Sequence, residues 1–335
     1  MKDFAGKIAF ITGGASGAGF GQAQIFSEAG MKVVIADVRQ DHLDNAMEYF
    51  KTTDAEVHAI KLDVTDRDGY ANAADETERV FGAVPDLLVL TAGVNAFGPV
   101  EASTYEDFDW VMGVNLGGVV NGLITFVPRM IKAGKGGYIA STVSYGAFIA
   151  APVVAPYAAA KAAVLNLLES YSIALKPYGI GVTALCPASI KSNIYDAVLK
   201  TRPENLKNTG YNANDETQEL LHSALQTGME PRILAEWMKN GIENEQFLVV
   251  PYKSAARMVE LELQRFVDYC TPEGILRMEK RKNQPPTDEQ RMIHREKEGY
   301  DLPLPSDAPP PPMPDVGFGK AHRDVDWISP DRRSK

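Results

Sequence analysis

Ser144, Tyr157 and Lys161 are the side chains whose types and spacing are best suited to moving a proton. Tyr157 and Lys161 are four residues apart, so a helix would place both on one face, and Pro156 suits the first turn of that helix. A phenol with its ordinary pKa of about 10 is a poor base at neutral pH, but a neighbouring ammonium group stabilises the phenolate and lowers this pKa. Ser144 follows the predicted strand Gly137–Thr142, at the edge where ligands of parallel sheets bind. The pattern predicts acid/base chemistry at that edge.

A glycine-rich turn after the first predicted strand indicates a second ligand. Glycines there let the turn tighten, let the backbone approach a pyrophosphate and leave the N–H groups of the next helix free for negative charge. The second strand ends in Asp37, a carboxylate placed to accept hydrogen bonds from the hydroxyls of an adenosine ribose. The predicted cofactor residues of the turn are Gly13, Ser16, Gly17, Ala18 and Gly19.

The choice between the two nicotinamide cofactors depends on charge. Asp37 would repel the 2′-phosphate of NADP, and the glycine turn contains no Arg or Lys to attract one. Arg39, two residues further on, is the opposing observation, because its guanidinium could reach a phosphate. The sequence predicts NAD, and the bland alternative for Asp37 is a turn or helix cap.

Short apolar runs alternate with segments of helical length along the first 250 residues or so. Such strands, spaced by helices, indicate a parallel sheet covered on both faces. We therefore predict a doubly wound, Rossmann-type α/β fold. The strand candidates are Lys7–Thr12, Lys32–Ala36, Val57–Leu62, Leu87–Thr91, Gly137–Thr142, Gly181–Cys186 and Phe247–Pro251.

Two segments interrupt this alternation. A long polar stretch at about 190–246 is predicted to be a lid over the ligand, within a catalytic domain of residues 1–275. Residues 276–335 are charged and then rich in proline, with four prolines in succession at Pro309–Pro312, and cannot form a separate core. We interpret them as a C-terminal arm, which is either disordered or docked on a neighbouring subunit.

Composition excludes several classes of function. The formal net charge of −10 is the wrong sign for binding nucleic acid or an anionic membrane surface. Two cysteines and five scattered histidines offer neither a disulfide framework nor a metal site. No apolar run approaches the roughly 20 residues that span a bilayer. We expect a cytoplasmic protein without a metal, a nucleic-acid partner or a membrane partner.

Taken in order, these motifs resemble the classical branch of the short-chain dehydrogenase/reductase family. The resemblance rests on the glycine turn, Asp37, Asp63-Val64, Thr91-Ala92-Gly93, Asn115, Ser144, Tyr157-x-x-x-Lys161 and Pro187. It implies that Tyr157 is the acid/base, that Lys161 activates it and binds the nicotinamide ribose, that Ser144 anchors the alcohol or carbonyl, and that Asn115 holds a proton-relay water. It also implies cofactor contacts at Asp63, Val64, Ala92, Gly93, Ile190 and Ser192, and a homodimer or homotetramer paired through the helices of Asn115 and Tyr157.

One departure from the family pattern concerns the sheet. Leu90 stands where the family usually has asparagine, so a hydrogen bond between the central strands must be lost or replaced. A second departure is Pro187-Ala188 in place of Pro-Gly, followed by Ser192, whose hydroxyl can keep the contact to the nicotinamide carboxamide.

Aromatic residues near the predicted cleft indicate a bulky, uncharged or aromatic secondary alcohol, although rings of this kind also serve only as core. The candidates are Phe97, Tyr145, Phe148, Tyr195 and Tyr211. Several strings, among them Phe97-Gly98-Pro99 and Ile190-Lys191-Ser192-Asn193-Ile194, resemble bacterial Cα-dehydrogenases, which oxidise the benzylic hydroxyl of lignin-derived β-aryl ethers. The alternatives are another hydrophobic alcohol, such as a hydroxysteroid or a terpene alcohol, and a non-catalytic NAD-binding sensor.

Overall fold

Seven parallel strands form the central sheet of the computed structural model, which describes residues 1–149, 153–192, 194, 200–207, 209–211 and 227–273. Their order is β3-β2-β1-β4-β5-β6-β7, so the direction of winding reverses between β1 and β4. Every predicted strand is present, and the predicted doubly wound α/β fold is confirmed. The strands are β1 (Ile8–Thr12), β2 (Lys32–Asp37), β3 (Val57–Lys61), β4 (Leu87–Leu90), β5 (Gly137–Thr142), β6 (Ile180–Leu185) and β7 (Leu248–Val249).

Helices cover both faces of the sheet because neighbouring residues of each strand point to opposite sides. Ile11 and Ile35 enter the core on one face, where they meet α1, α2 and α7. Phe10 and Val34 enter the core on the other face, against α3, α5 and α6. The helices are α1 (Gly17–Glu28), α2 (Gln40–Phe50), α3 (Arg67–Phe81), α4 (Tyr105–Met112), α5 (Gly118–Ala133), α6 (Ala155–Ala174), α7 (Pro231–Glu243) and α8 (Lys253–Tyr269).

One helical stretch passes the length and composition test for a membrane span. It comprises α4, a π-helical turn at Gly113–Gly117, and α5, and it runs over Tyr105–Ala133. This differs from the expectation that no such stretch exists. Leu123 and Phe126 of α5 are fully buried in the core beneath the sheet, so the stretch is a core helix of the α/β fold.

The predicted lid is too long at its C-terminal end. Leu234 and Met238 of α7 are fully buried, and the helix packs so closely on α1 that a Cβ at Gly21 would lie 2.5 Å from the carbonyl oxygen of Pro231. The apolar face of α7 therefore packs into the core of the domain. Any segment that covers the ligand must end before residue 231. The predicted C-terminal arm, 276–335, lies outside the described residues.

Candidate active site

The glycine turn between β1 and α1 has a backbone that only glycine accommodates easily. Gly13 and Gly17 adopt φ values of +63° and +49°, and a Cβ at Gly19 would collide with the carbonyl of Gly13. In the described structure the Ser16 side chain makes no capping hydrogen bond to α1, which leaves the first N–H groups of the helix for an anion. The turn therefore fits the pyrophosphate of a dinucleotide, and all five predicted residues of the turn line one cavity of about 410 Å³.

Asp37 ends β2 beside this turn and is 9% exposed. Its carboxylate accepts hydrogen bonds from the backbone N–H of Arg39 (3.1 Å) and of Ala15 (3.4 Å), so it caps a turn while it lines the cavity. Burial raises its pKa, and the two backbone bonds oppose that shift. The guanidinium of Arg39 is itself engaged, because it donates two hydrogen bonds to the carboxylate of Asp41.

A buried network of hydroxyl and amide groups replaces the cross-strand bond that Leu90 cannot make. The Ser141 hydroxyl of β5 donates to the carbonyl of Leu90 in β4 (2.7 Å). Beside it, the hydroxyls of Thr91 and Thr142 lie 2.9 Å apart, and both bind the carboxamide of Gln22 on α1. The ends of β4 and β5, next to the predicted cofactor residues Ala92 and Gly93, are thus tied to α1, the helix that follows the glycine turn.

Ser144, Tyr157 and Lys161 converge at the end of β5. Ser144 begins a short 3-10 turn, and its hydroxyl accepts a hydrogen bond from the N–H of Gly146 (3.0 Å) in the neighbourhood of the Tyr157 ring. Lys161 donates to the carbonyl of Thr142 (2.9 Å), and its Nζ lies 5.6 Å from the centre of the Tyr157 ring. The i, i+4 spacing on α6 has therefore brought the phenol and the ammonium group into one cleft, beside the serine.

Burial dominates the electrostatics of these groups. Burial raises the pKa of Tyr157, a shift that the hydroxyl of Ser144 opposes, and it lowers the pKa of Lys161 to about 8. The neighbouring thiol of Cys186 has its pKa raised to about 12, also by burial, and remains neutral at pH 7. At neutral pH the site thus holds a protonated phenol next to a lysine that is mostly charged.

Asn115 is fully buried in the π-helical turn, and its side-chain amide makes two hydrogen bonds to one residue. Its Oδ1 accepts from the N–H of Val94 and its Nδ2 donates to the carbonyl of Val94, each at 2.8 Å. A Cβ at Gly93 would lie 3.2 Å from the same Oδ1, so the amide sits directly behind the chain between β4 and α4. The side chain positions that loop and is not among the residues that line the cavity.

The predicted substrate residues separate into three groups. Phe97 and Tyr145 line the cavity. Phe148 packs against the core instead. Tyr211 is fully buried against Val111, and its hydroxyl donates a hydrogen bond to the carbonyl of Val153 (3.2 Å). Tyr195 lies outside the described residues.

Comparison with known proteins identifies the family. A family model for short chain dehydrogenases matches residues 7–203. The protein belongs to this family. A C alpha-dehydrogenase from Sphingobium sp. (strain NBRC 103272 / SYK-6) is 49% identical over 272 residues, which are 81% of this chain and 89% of that relative. This short-chain dehydrogenase is an oxidoreductase that acts on alcohol groups.

Solved structures agree with this assignment. The apo form of LigD from Sphingobium sp. strain SYK-6 has a TM-score of 0.68 at 43% identity, over 81% of this chain and all (100%) of that one. A short chain dehydrogenase/reductase from Burkholderia phymatum in complex with NAD has a TM-score of 0.73 at 30% identity, over 80% of this chain and 96% of that one. The family and the fit of the glycine turn point to a nicotinamide cofactor.

The remaining predicted cofactor residues Asp63, Val64, Ile190 and Ser192 also line the cavity of this short-chain dehydrogenase. Two contacts hold the segment after β6. Ile190 and Met229 form an isolated β-bridge, and the hydroxyl of Tyr252 donates a hydrogen bond to the carbonyl of Ser189. Several lining residues were not predicted from the sequence: Asn95, Trp110, Val114, Ile194 and Thr201. Asn95 carries a usable signal, since it lies two residues after the predicted cofactor residue Gly93.

Proposed function

We propose that this enzyme catalyses the NAD-dependent oxidation of a bulky, aromatic secondary alcohol, carrying its hydroxyl at the benzylic carbon, to the ketone. The observation that carries the proposal is the placement of Tyr157 at a cavity whose walls include Phe97, Trp110 and Tyr145. Aromatic walls favour an aromatic substrate through stacking and burial of apolar surface. The 49% identical relative, a C alpha-dehydrogenase, supports the same substrate class.

The three polar side chains divide the proton chemistry among them. Ser144, which lines the cavity together with Tyr157, holds the substrate hydroxyl next to the phenol oxygen. Tyr157 takes the hydroxyl proton while the C–H bond of the same carbon breaks, which leaves a ketone. The glycine turn and Asp37 would hold NAD, which would supply the acceptor for the hydride that leaves this carbon. Burial keeps Tyr157 protonated in the ligand-free site, so the phenolate from which it acts would form once NAD is bound, when the charge of Lys161 and the positive nicotinamide ring would both stabilise it.

Asn115 acts in this scheme as a positioning residue. Both groups of its amide bind Val94, so the side chain fixes the loop that begins at Ala92-Gly93. A relay water, as the family resemblance implies, would have to use the backbone carbonyl of Asn115. A π-helical turn interrupts the usual i to i+4 pattern of hydrogen bonds and so suits such a role.

The preference for NAD follows from the charges around the adenosine end of the cavity. Asp37 offers its carboxylate to the ribose hydroxyls, and a 2′-phosphate would face that carboxylate directly. Arg39 is the group that could favour NADP. Its Nε and Nη2 atoms both donate hydrogen bonds to the carboxylate of Asp41. Recruiting Arg39 to a phosphate would require this pair to break.

We further propose a cytoplasmic homodimer or homotetramer paired through α5 and α6. Ile124 of α5 is 64% exposed and Ile173 of α6 is 54% exposed, on helices that cover the same face of the sheet. Large apolar side chains this exposed on two helices of one face favour self-association. Light scattering coupled to gel filtration tests this, and a monomer at micromolar concentration would contradict it.

The substrate proposal is tested by a panel of secondary alcohols with NAD, following the absorbance of NADH. The panel contains benzylic alcohols of increasing size, a hydroxysteroid and a terpene alcohol. We expect the highest kcat/KM for a benzylic alcohol with a second aromatic group. Turnover of the steroid or terpene without turnover of any benzylic alcohol would contradict the proposal, and NADH binding without turnover of the panel would favour a sensor.

A further inference from the structure

His42 is a titratable side chain that lines the cavity and has no part in the proton chemistry at the end of β5. It belongs to the first turn of α2, and Asp37 and Arg39 line the same adenosine end of the cavity. The residue is partly exposed, and within the described part of the chain neither ring nitrogen has a hydrogen-bond partner. A ligand in the cavity can therefore reach the imidazole.

Four charged side chains act electrostatically on this imidazole, and they come from three parts of the fold. They are Asp37 at the end of β2, Arg39 and Asp41 at the start of α2, and Lys200 on the segment after β6. Two of these charges are negative and two are positive, so they offset one another. The net charge around the ring is then set by the protonation state of His42 itself.

His42 is neutral at neutral pH in the ligand-free protein. Burial lowers its pKa from the ordinary value of 6.5, and the charge of Arg39 lowers it further. The first turn of a helix also disfavours a positive charge and favours an anion. An anion beside the ring has the opposite effect on the pKa, because it stabilises the imidazolium form. A ligand with an additional negative charge at this end of the cavity therefore brings a proton onto His42.

The two nicotinamide cofactors differ by such a charge. Asp37 is placed for the ribose hydroxyls of adenosine, and in NADP one of these hydroxyls carries a phosphate. While His42 is neutral, no added cation offsets the repulsion between this phosphate and Asp37. Once His42 is protonated, the imidazolium offsets that repulsion. This compensation leaves the pair between Arg39 and Asp41 intact.

We propose that His42 is a cofactor-specificity residue whose protonation makes the choice between NAD and NADP depend on pH. The preference for NAD is largest while the imidazole is neutral, and it falls as the pH is lowered and NADP binding brings a proton onto the ring. This inference rests on the NAD preference of the proposed function. It goes beyond that preference by naming a residue outside the glycine turn and Asp37.

The experiment measures the dissociation constants of NAD and NADP by titration calorimetry at a series of pH values from about 6 to about 8.5. The unmodified protein is compared with His42→Gln, which cannot become charged, and with His42→Arg, which is charged throughout. His58→Gln is the matched control, since His58 pairs with Glu76 and is not among the residues that line the cavity. The phosphate of NADP itself titrates at about pH 6, and comparison with His42→Gln removes that contribution.

The quantity compared is the ratio of the Kd for NADP to the Kd for NAD. From about pH 8.5 to about pH 6 we expect this ratio to fall about tenfold more in the unmodified protein than in His42→Gln. His58→Gln should follow the unmodified protein, and His42→Arg should have a low ratio at every pH. A ratio with the same pH dependence in the unmodified protein and in His42→Gln would overturn the inference. Equal weakening of both cofactors at every pH in His42→Gln would overturn it as well, by assigning the ring to packing against the adenosine.

Failure of the proposed NAD preference has a different signature. A ratio below one at about pH 8.5 in the unmodified protein contradicts that preference and this inference with it. A ratio above one that does not depend on the protonation of His42 contradicts this inference alone.

Discussion

Arg202 and Asp107 form an ion pair (2.6 Å) between side chains that are 1% and 0% exposed, 95 residues apart in the sequence. The carboxylate of Asp107 also takes part in the capping box that begins α4 at Thr104. The guanidinium further donates to the hydroxyl of Thr209 (3.0 Å) and to the carbonyl of Tyr211 (3.2 Å). The pair therefore fastens the segment that contains Arg202, next to the cavity residue Thr201, onto α4.

The Arg202→Met substitution is expected to destabilise the protein by about 3 kcal/mol, because it leaves the buried carboxylate of Asp107 without a cation. We also expect the substrate KM to rise while the affinity for NADH is kept. Arg232→Met is the matched control, since Arg232 makes a similar pair with Glu28 at the surface, worth less than about 1 kcal/mol. Chemical denaturation and steady-state kinetics check both. Equal losses of unfolding free energy in Arg202→Met and Arg232→Met would show that the buried pair contributes no more than the surface pair.

The Asp37→Ala substitution is expected to narrow the preference for NAD over NADP by about tenfold or more. It removes the hydrogen bonds to the ribose, each worth about 1.5 to 3 kcal/mol with a charged acceptor, and the repulsion of a 2′-phosphate. The measurement is kcat/KM for both cofactors. Equal use of NAD and NADP by the unmodified enzyme would already contradict the role given to this carboxylate.

The buried ammonium of Lys161 predicts a pH-dependent contribution to stability. Its pKa of about 8 in the folded protein is below the ordinary value of 10.5 for a lysine side chain. Between these values the unfolded chain holds a proton that the folded protein has released, so the stability due to this group rises with pH. The unmodified protein should gain up to roughly 3 kcal/mol relative to Lys161→Met from pH 8 to pH 10.5.

The quantity to measure is the difference in unfolding free energy between the unmodified protein and Lys161→Met. Other buried groups, such as Cys186 with its raised pKa, make stability fall with pH over the same range, and the difference removes their contribution. Denaturation at a series of pH values supplies this difference. Lys135→Met, at an exposed position, should show no such trend relative to the unmodified protein. A flat difference for Lys161→Met would mean that water reaches this lysine in the folded protein.

The sequence predicts those parts of the fold and site that depend on local spacing. The strands follow from their apolar runs, and the convergence of Tyr157 and Lys161 follows from one turn of helix. The glycine turn and Asp37 end neighbouring parallel strands, which meet at one edge of the sheet. Such features need no knowledge of distant contacts.

Contacts between distant segments are what local patterns could not predict. Tyr211 resembled a substrate ligand, but its burial depends on Val111 and on the carbonyl of Val153, both far away in the sequence. The use of the Asn115 amide on Val94 likewise depends on how the π-helical turn faces the end of β4. The sequence pattern places α7 within the predicted lid because the surface that buries this helix belongs to α1. That surface is about 200 residues away in the sequence, so no local pattern reveals it.

In the proposed reaction Tyr157 exchanges the proton of the substrate, and the Tyr157→Phe substitution tests this role most directly. The ring and its packing are kept while the hydroxyl is lost, so we expect kcat to fall by at least about a hundredfold with the affinity for NADH unchanged. Tyr171→Phe, on the same helix α6, should retain activity. Kinetics with a benzylic alcohol and NADH titration measure both quantities. Retention of most of the activity by Tyr157→Phe would contradict the account.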